Sequence, residues 1–155
     1  MIARQLAKAQ GAAHIRIDSI EQALRESWPA GRPLDDSGYR VGYAVAEDNL
    51  RAGMTVIADS VNPLAVTRDA WMEVARRKRV CAIEIEIVCS DANEHQRRVE
   101  GRTSDIPGLR VPNWQEVVAR EYEPWSRDHL LIDTSNMHIS QTVSIILEAI
   151  SVKPK

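Results

Sequence analysis

Three short apolar runs in this chain stop on an aspartate: His14 to Asp18 (HIRID), Thr55 to Asp59 (TVIAD) and His129 to Asp133 (HLLID). A fourth run, Ala82 to Val88 (AIEIEIV), is followed closely by Ser90 and Asp91. Runs of this length, rich in Ile and Val and bounded by turn-forming residues, read as strands. Between them the apolar period changes from two to about 3.6, which reads as helix. Strands that alternate with helices specify a parallel α/β sheet covered on both faces. Such a sheet presents the carboxyl ends of its strands, here the aspartates, to the edge where open α/β sheets bind ligands.

The helical stretches are delimited by their own chemistry. Ile2, Ala3, Leu6 and Ala7 recur at helical spacing before Gly11, so residues 1–10 are predicted to be a helix with a left-handed stop. Ser19 to Ser27 resumes the pattern, and Pro29 to Asp36 is a loop rich in Pro, Gly and Asp. Tyr39, Tyr43, Ala46 and Leu50 mark a long helix closed by Gly53, and Trp71, Val74 and Ala75 mark the next. Asp91 with Glu94 three residues later is a capping-box-like start for an arginine-bearing helix. Ser104 to Asn113 holds two prolines and a glycine, so it is an irregular, lid-like excursion before a helix that starts near Trp114. Val143, Ile146, Leu147 and Ile150 line the last helix.

Composition narrows the function classes. A chain of 155 residues suits one domain, residues 1–155, with a lid at about 98–114. A formal charge of −2 argues against nucleic-acid binding through bulk charge. Any attraction for phosphate has to be local, and the candidate cluster is Arg97, Arg98, Arg102 and Arg110; Arg76 to Arg79 reads instead as the solvated end of a helix. Cys81 and Cys89 bracket one strand and stand roughly 26 Å apart at 3.3 Å per residue, too far for a disulfide. The histidines and cysteines lack zinc-type spacing. No apolar run is long enough for a signal peptide or a membrane span, so no membrane partner is expected and the default compartment is cytoplasmic.

Taken in order, IRIDSIEQAL, GYRVGYAVAEDNL, VIADSVNP, the segment from CSDANEH to RRVEGR, the lid segment and LLIDTS resemble the small P-loop kinases. The nearest types are the AAA-type, zeta-toxin-like and chloramphenicol-phosphotransferase-like ATP-dependent kinases. The resemblance implies a P-loop nucleoside triphosphate hydrolase fold, with helices on both faces of a parallel sheet ordered 2-3-1-4-5 and a lid. It also exposes a departure. The phosphate loop G-x-x-x-x-G-K-[ST] is absent, and Met1 falls where the helix after that loop is under way, so the first strand, central in the family's sheet, is missing. The loop supplies most phosphate and magnesium contacts in such enzymes, so ATP and Mg2+ binding by these residues alone is in question.

The resemblance implies roles residue by residue. Asp18 is the acceptor-side carboxylate, placed to take the proton of a substrate hydroxyl, although it could equally cap the following helix. Asp59 matches the carboxylate that reaches magnesium through water; as a turn former it has a plainer reading. Asn62 and Arg68 lie near the same edge as substrate-binding candidates. Arg98 and Arg102, four apart in sequence, are read as one helix face that asks for an anion, with Glu94 as the alternative partner of Arg98. Asp133 and Thr134 border the adenine pocket, or form a simple strand-to-helix turn. The implied activity is transfer of the ATP γ-phosphate to a hydroxyl of a small molecule. Alternatives are a non-catalytic substrate-binding or pseudo-kinase module and a toxin-like kinase with an inhibitory protein partner; the missing strand could be encoded upstream or donated by another chain, and a homodimer is a further partner option.

Overall fold

The computed structural model describes residues 1–152. It is a mixed α/β fold whose strands pair only in parallel. In chain order the elements are α1 (Ile2–Gln10), β1 (Ala13–Arg16), α2 (Ile17–Ser27), α3 (Ser37–Arg51), β2 (Val56–Asp59), α4 (Ala65–Lys78), β3 (Ile85–Val88), α5 (Ala92–Gly101), α6 (Trp114–Val118), β4 (Leu130–Asp133) and α7 (Ile139–Val152).

Among the described residues the four strands form two separate pairs, β1 with β2 and β3 with β4. Ala13 faces Val56 and Arg16 faces Asp59 in the first pair; Ile85 faces Leu130 and Val88 faces Asp133 in the second. The pairs nevertheless share one apolar floor. Leu6 of α1, Ile132 of β4, and Val143 and Ile146 of α7 form a buried cluster against which Ile57 of β2 and Ile85 of β3 also pack. The opposite face of β1–β2 carries a second cluster of Ile15, Ala46 and Val74, bordered by Val56, Tyr43 and Trp71. Val56 and Ile57 therefore point to opposite faces, as the period of a strand requires, and each face is covered by helices. Gly42 is what lets α3 lie this close: a Cβ there would stand 2.5 Å from Ile17 Cδ1.

Several boundaries differ from the sequence reading, each for a local reason. Residues 82–84 are not strand: the Glu84 carbonyl still accepts from the Leu130 amide at 2.9 Å, but the paired register begins at Ile85. The first strand ends at Arg16 rather than Asp18, because Ile17 already opens α2 and is buried at 3% exposure. Asp91 caps α5 by accepting from the Asn93 and Glu94 amides, but Glu94 turns to arginines instead of completing the box. A full capping box occurs one helix later, between Asn113 and Glu116 of α6. The excursion between α5 and α6 is irregular, as its prolines and glycine dictate. Cys81 and Cys89 are free thiols. No helix among the described residues is long and apolar enough to cross a membrane.

Candidate functional site

The carboxyl ends of the strands carry two clusters of polar side chains, one on each strand pair. At the end of β1–β2, His14 Nε2 and Asp59 Oδ2 meet at 2.8 Å, both partly buried. Arg16 lies opposite Asp59 in the strand register, and its guanidinium donates to Asp105 of the α5–α6 connection at 2.8 Å. Asp18 sits on the first turn of α2 with its side chain exposed, where a negative charge complements the helix dipole. It is thus at this edge by way of a helix start, not a strand end.

Beyond β2 the chain turns sharply. Asn62 adopts a left-handed backbone with φ of 48°, a strained conformation for a residue with a side chain. Its Oδ1 is buried without a hydrogen-bond partner, and the buried Ser60 hydroxyl stands beside the Tyr39 phenol. The phenol of Tyr39 lies beside both residues, and burial raises its pKa.

Arg68 is held very differently from a surface cation. It is 3% exposed, and four of its five N–H donors go to main-chain carbonyls: Nε to Asn62 at 3.0 Å, one terminal nitrogen to Pro124 at 3.3 Å, and the other to Pro63 at 2.9 Å and to Glu123. Its guanidinium is flanked by the rings of Tyr122 and Trp125. Arg68 joins the loop that leaves β2 to the segment that enters β4. The charge that a substrate would need is already engaged with the backbone.

At the end of β3–β4, Arg98, Asp133 and Thr134 come together. Arg98 donates to Glu94 at 2.6 Å, to the Thr134 hydroxyl at 3.1 Å and to the Thr134 carbonyl at 2.9 Å. The Thr134 hydroxyl in turn donates to the Val88 carbonyl at 2.8 Å. Asp133 accepts from the Ser90 hydroxyl and amide and the Ser135 amide, and these donors hold its carboxyl down at about 2. Glu94, shared by Arg97 and Arg98, is likewise held at about 2. Arg102 does not share a helix face with Arg98: α5 ends at Gly101, and Arg102 is extended, exposed, and bonded only to the Pro112 carbonyl at 3.4 Å. Arg97, far more exposed than Arg98, binds the same Glu94.

Sequence reasoning missed His14, Arg16 and Asp105. The signal was present in β1, where His14 and Arg16 alternate with the apolar Ala13 and Ile15 and so put two polar side chains on one face. Asp59 is the carboxylate at the end of β2, and its Oδ2 meets His14 Nε2. No three His, Cys, Asp or Glu side chains converge among the described residues, Asp59 is engaged by His14, and no glycine-rich phosphate loop is present.

Comparison of the fold with solved structures is decisive on architecture. The chain superimposes on a protein of Chloroflexus aurantiacus j-10-fl provisionally termed a kinase, with a TM-score of 0.62 and 16% sequence identity over 97% of this chain and 87% of that one. It superimposes equally on the APS kinase CysC of Mycobacterium tuberculosis in complex with AMPPNP and APS, with a TM-score of 0.65 and 12% identity over the same shares of the two chains. The chain shares the mixed α/β fold of these two structures. At these identities the likeness concerns the fold, and neither a protein-family model nor a curated protein's sequence matches the chain.

Proposed function

We propose that this chain is the acceptor-side body of an ATP-dependent small-molecule kinase, completed by a strand and phosphate loop from outside residues 1–155. The observation that carries the reading is the split sheet. Two parallel pairs stand on one apolar floor built from Ile57, Ile85 and Ile132, yet no hydrogen bond joins them. Strand edges left bare inside a covered sheet are costly, and one further parallel strand between β2 and β3 would satisfy both. In the strand order implied by the sequence resemblance, that strand is the one that carries the phosphate loop.

On this reading the phosphoryl group of ATP passes to a hydroxyl of a small molecule, and the added segment holds most of the triphosphate and the magnesium ion. The chain's own share is positional. Asp18, exposed at the start of α2, accepts the proton that leaves the acceptor hydroxyl. Asp59 contributes its carboxylate at the neighbouring strand end, with His14 orienting it. Arg102, whose guanidinium is almost free, supplies positive charge from the connection between α5 and α6. Asp133 and Thr134, fixed by Ser90 and Arg98, shape the nucleotide end of the sheet edge.

The reading is tested by calorimetric titration of Mg–ATP into the 155-residue chain and into a form extended upstream by its in-frame codons. Binding only by a form that contains G-x-x-x-x-G-K-[ST] supports the kinase. No binding by either, or no such motif upstream, leaves a substrate-binding module that does not use nucleotide.

A further inference from the structure

The α5–α6 connection does not hang free. Ser104 makes a tight turn, its hydroxyl accepting from the Ile106 amide at 3.0 Å and donating to the Ile106 carbonyl at 3.1 Å. Gly108, left-handed at φ of 73°, brings the connection against Gln22 of α2. Between them, Asp105 is presented to two arginines from different elements: Arg4 at the start of α1, 3.2 Å from Oδ2, and Arg16 at the end of β1, 2.8 Å from Oδ1. Each arginine donates a single N–H to this carboxylate, and among the described residues neither has another acceptor. Arg4 and Arg16 also line an open depression of about 350 Å³ together with His14 and Ser19.

Two guanidinium groups on one carboxylate make an oxyanion site, and their planar, many-donor geometry suits a phosphate or a carboxylate. The present occupant is weakly held. Arg4 and Asp105 are 63% and 53% exposed, and ion pairs at such surfaces are readily exchanged. Arg16, less exposed at 28%, keeps the Asp105 carboxyl below the usual range, so it stays charged wherever a phosphate would also be.

We propose that Arg4 and Arg16 bind an anionic group, phosphate or carboxylate, of the acceptor substrate, and that Asp105 is a tethered stand-in which that group displaces, releasing the connection. The acceptor, rather than the nucleotide, is favoured by position: Arg16 ends β1 two residues before Asp18, and in the strand order of the kinase reading β1 lies farther than β2 from the strand with the phosphate loop. In assigning the anion to an acceptor the inference rests on the kinase reading, but the site itself does not.

The test is titration of inorganic phosphate at low ionic strength into the 155-residue chain and its D105N, R16Q and R4Q variants, followed by calorimetry. D105N is expected to bind phosphate about threefold to fivefold more tightly than the parent, the scale of one exposed ion pair, and R16Q and R4Q more weakly. Arg4 is exposed, so R4Q keeps the test open if R16Q fails to fold. D105N binding no tighter than the parent, or arginine variants binding like it, would overturn the site. If Mg–ATP displaces this phosphate from the upstream-extended form, the acceptor assignment fails. The titration needs neither ATP nor turnover, so an extended form that ignores ATP while the chain still binds phosphate sinks the kinase reading alone.

Discussion

The guanidinium of Arg68 lies over the indole of Trp125, 4.6 Å from the ring centroid, and the same indole stacks with His129, the ring centroids 4.2 Å apart. Around this column the chain brings Asn62 and Pro63, which follow β2, to Glu123 and Pro124, which precede β4. The two strand pairs are thus tied on one side by a cation held by carbonyls, and on the other by the apolar floor under α1 and α7.

Removing that cation should be among the most damaging single changes. Arg68→Ala leaves buried carbonyls without donors and a hole between two aromatic rings, a loss of about 3 kcal/mol or more. Urea unfolding monitored by tryptophan fluorescence measures it as a lower midpoint. A midpoint unchanged within error would mean that the clamp is dispensable.

Asp18 should behave in the opposite way. It is exposed and its only structural role is at a helix start, so Asp18→Asn should cost no more than about 0.5 kcal/mol. In the phosphate-loop-bearing form the same change should remove nearly all phosphoryl transfer. A variant that keeps both stability and turnover takes Asp18 out of the site.

The acid limb of stability should depend on Asp133 and Glu94. Hydrogen bonds from Ser90 and Ser135 depress the first to about 2, and those from Arg97 and Arg98 depress the second to about 2. A carboxyl with a folded-state pKa below its unfolded one stabilises above the unfolded value and loses that contribution as pH falls toward the folded one. Stability of the parent should therefore fall more steeply than that of Asp133→Asn or Glu94→Gln between about pH 4.5 and 2. Thermal melts across that range make the comparison, and parallel curves would contradict it.

His129 sets the complementary limb. The Arg127 carbonyl at Nδ1 raises its pKa most, with Glu86 at Nε2 and Glu84 nearby adding to it against the opposing effect of burial. Raised in the folded state, this histidine stabilises fully below its unfolded value of about 6.5 and loses the contribution as pH rises through the folded one. Relative to His129→Gln, the parent should lose stability above about pH 6.5. The imidazole proton resonances of His129, followed by NMR, should titrate above the free-histidine midpoint; titration at or below it would remove the effect.

What was legible in the sequence was local, and what was hidden was the pairing of distant residues. The strands ending at Asp59 and Asp133 were visible because β-branched runs and a terminal aspartate are properties of contiguous residues. Asp18 was placed on a strand because HIRID reads as one run, whereas burial of Ile17 turns the chain into α2 one residue before it. Arg102 was counted on the helix of Arg98, since spacing alone does not reveal that Gly101 ends it. Arg68 was hardest to read: its acceptors Glu123 and Pro124 lie 55 and 56 positions away and are main-chain carbonyls, which every residue has. The hydrogen bond of His14 with Asp59, 45 positions apart, is hidden for the same reason.

The split sheet also bears on how the isolated chain behaves in a test tube. A strand with one bare side is a template, and β2 and β3 each have only one neighbour while Ile87 is 39% exposed. Without a strand to fill them, such edges recruit copies of themselves, so solubility should fall with concentration well before unfolding begins. A peptide or extension that pairs with these edges should therefore raise the concentration at which the chain stays in solution.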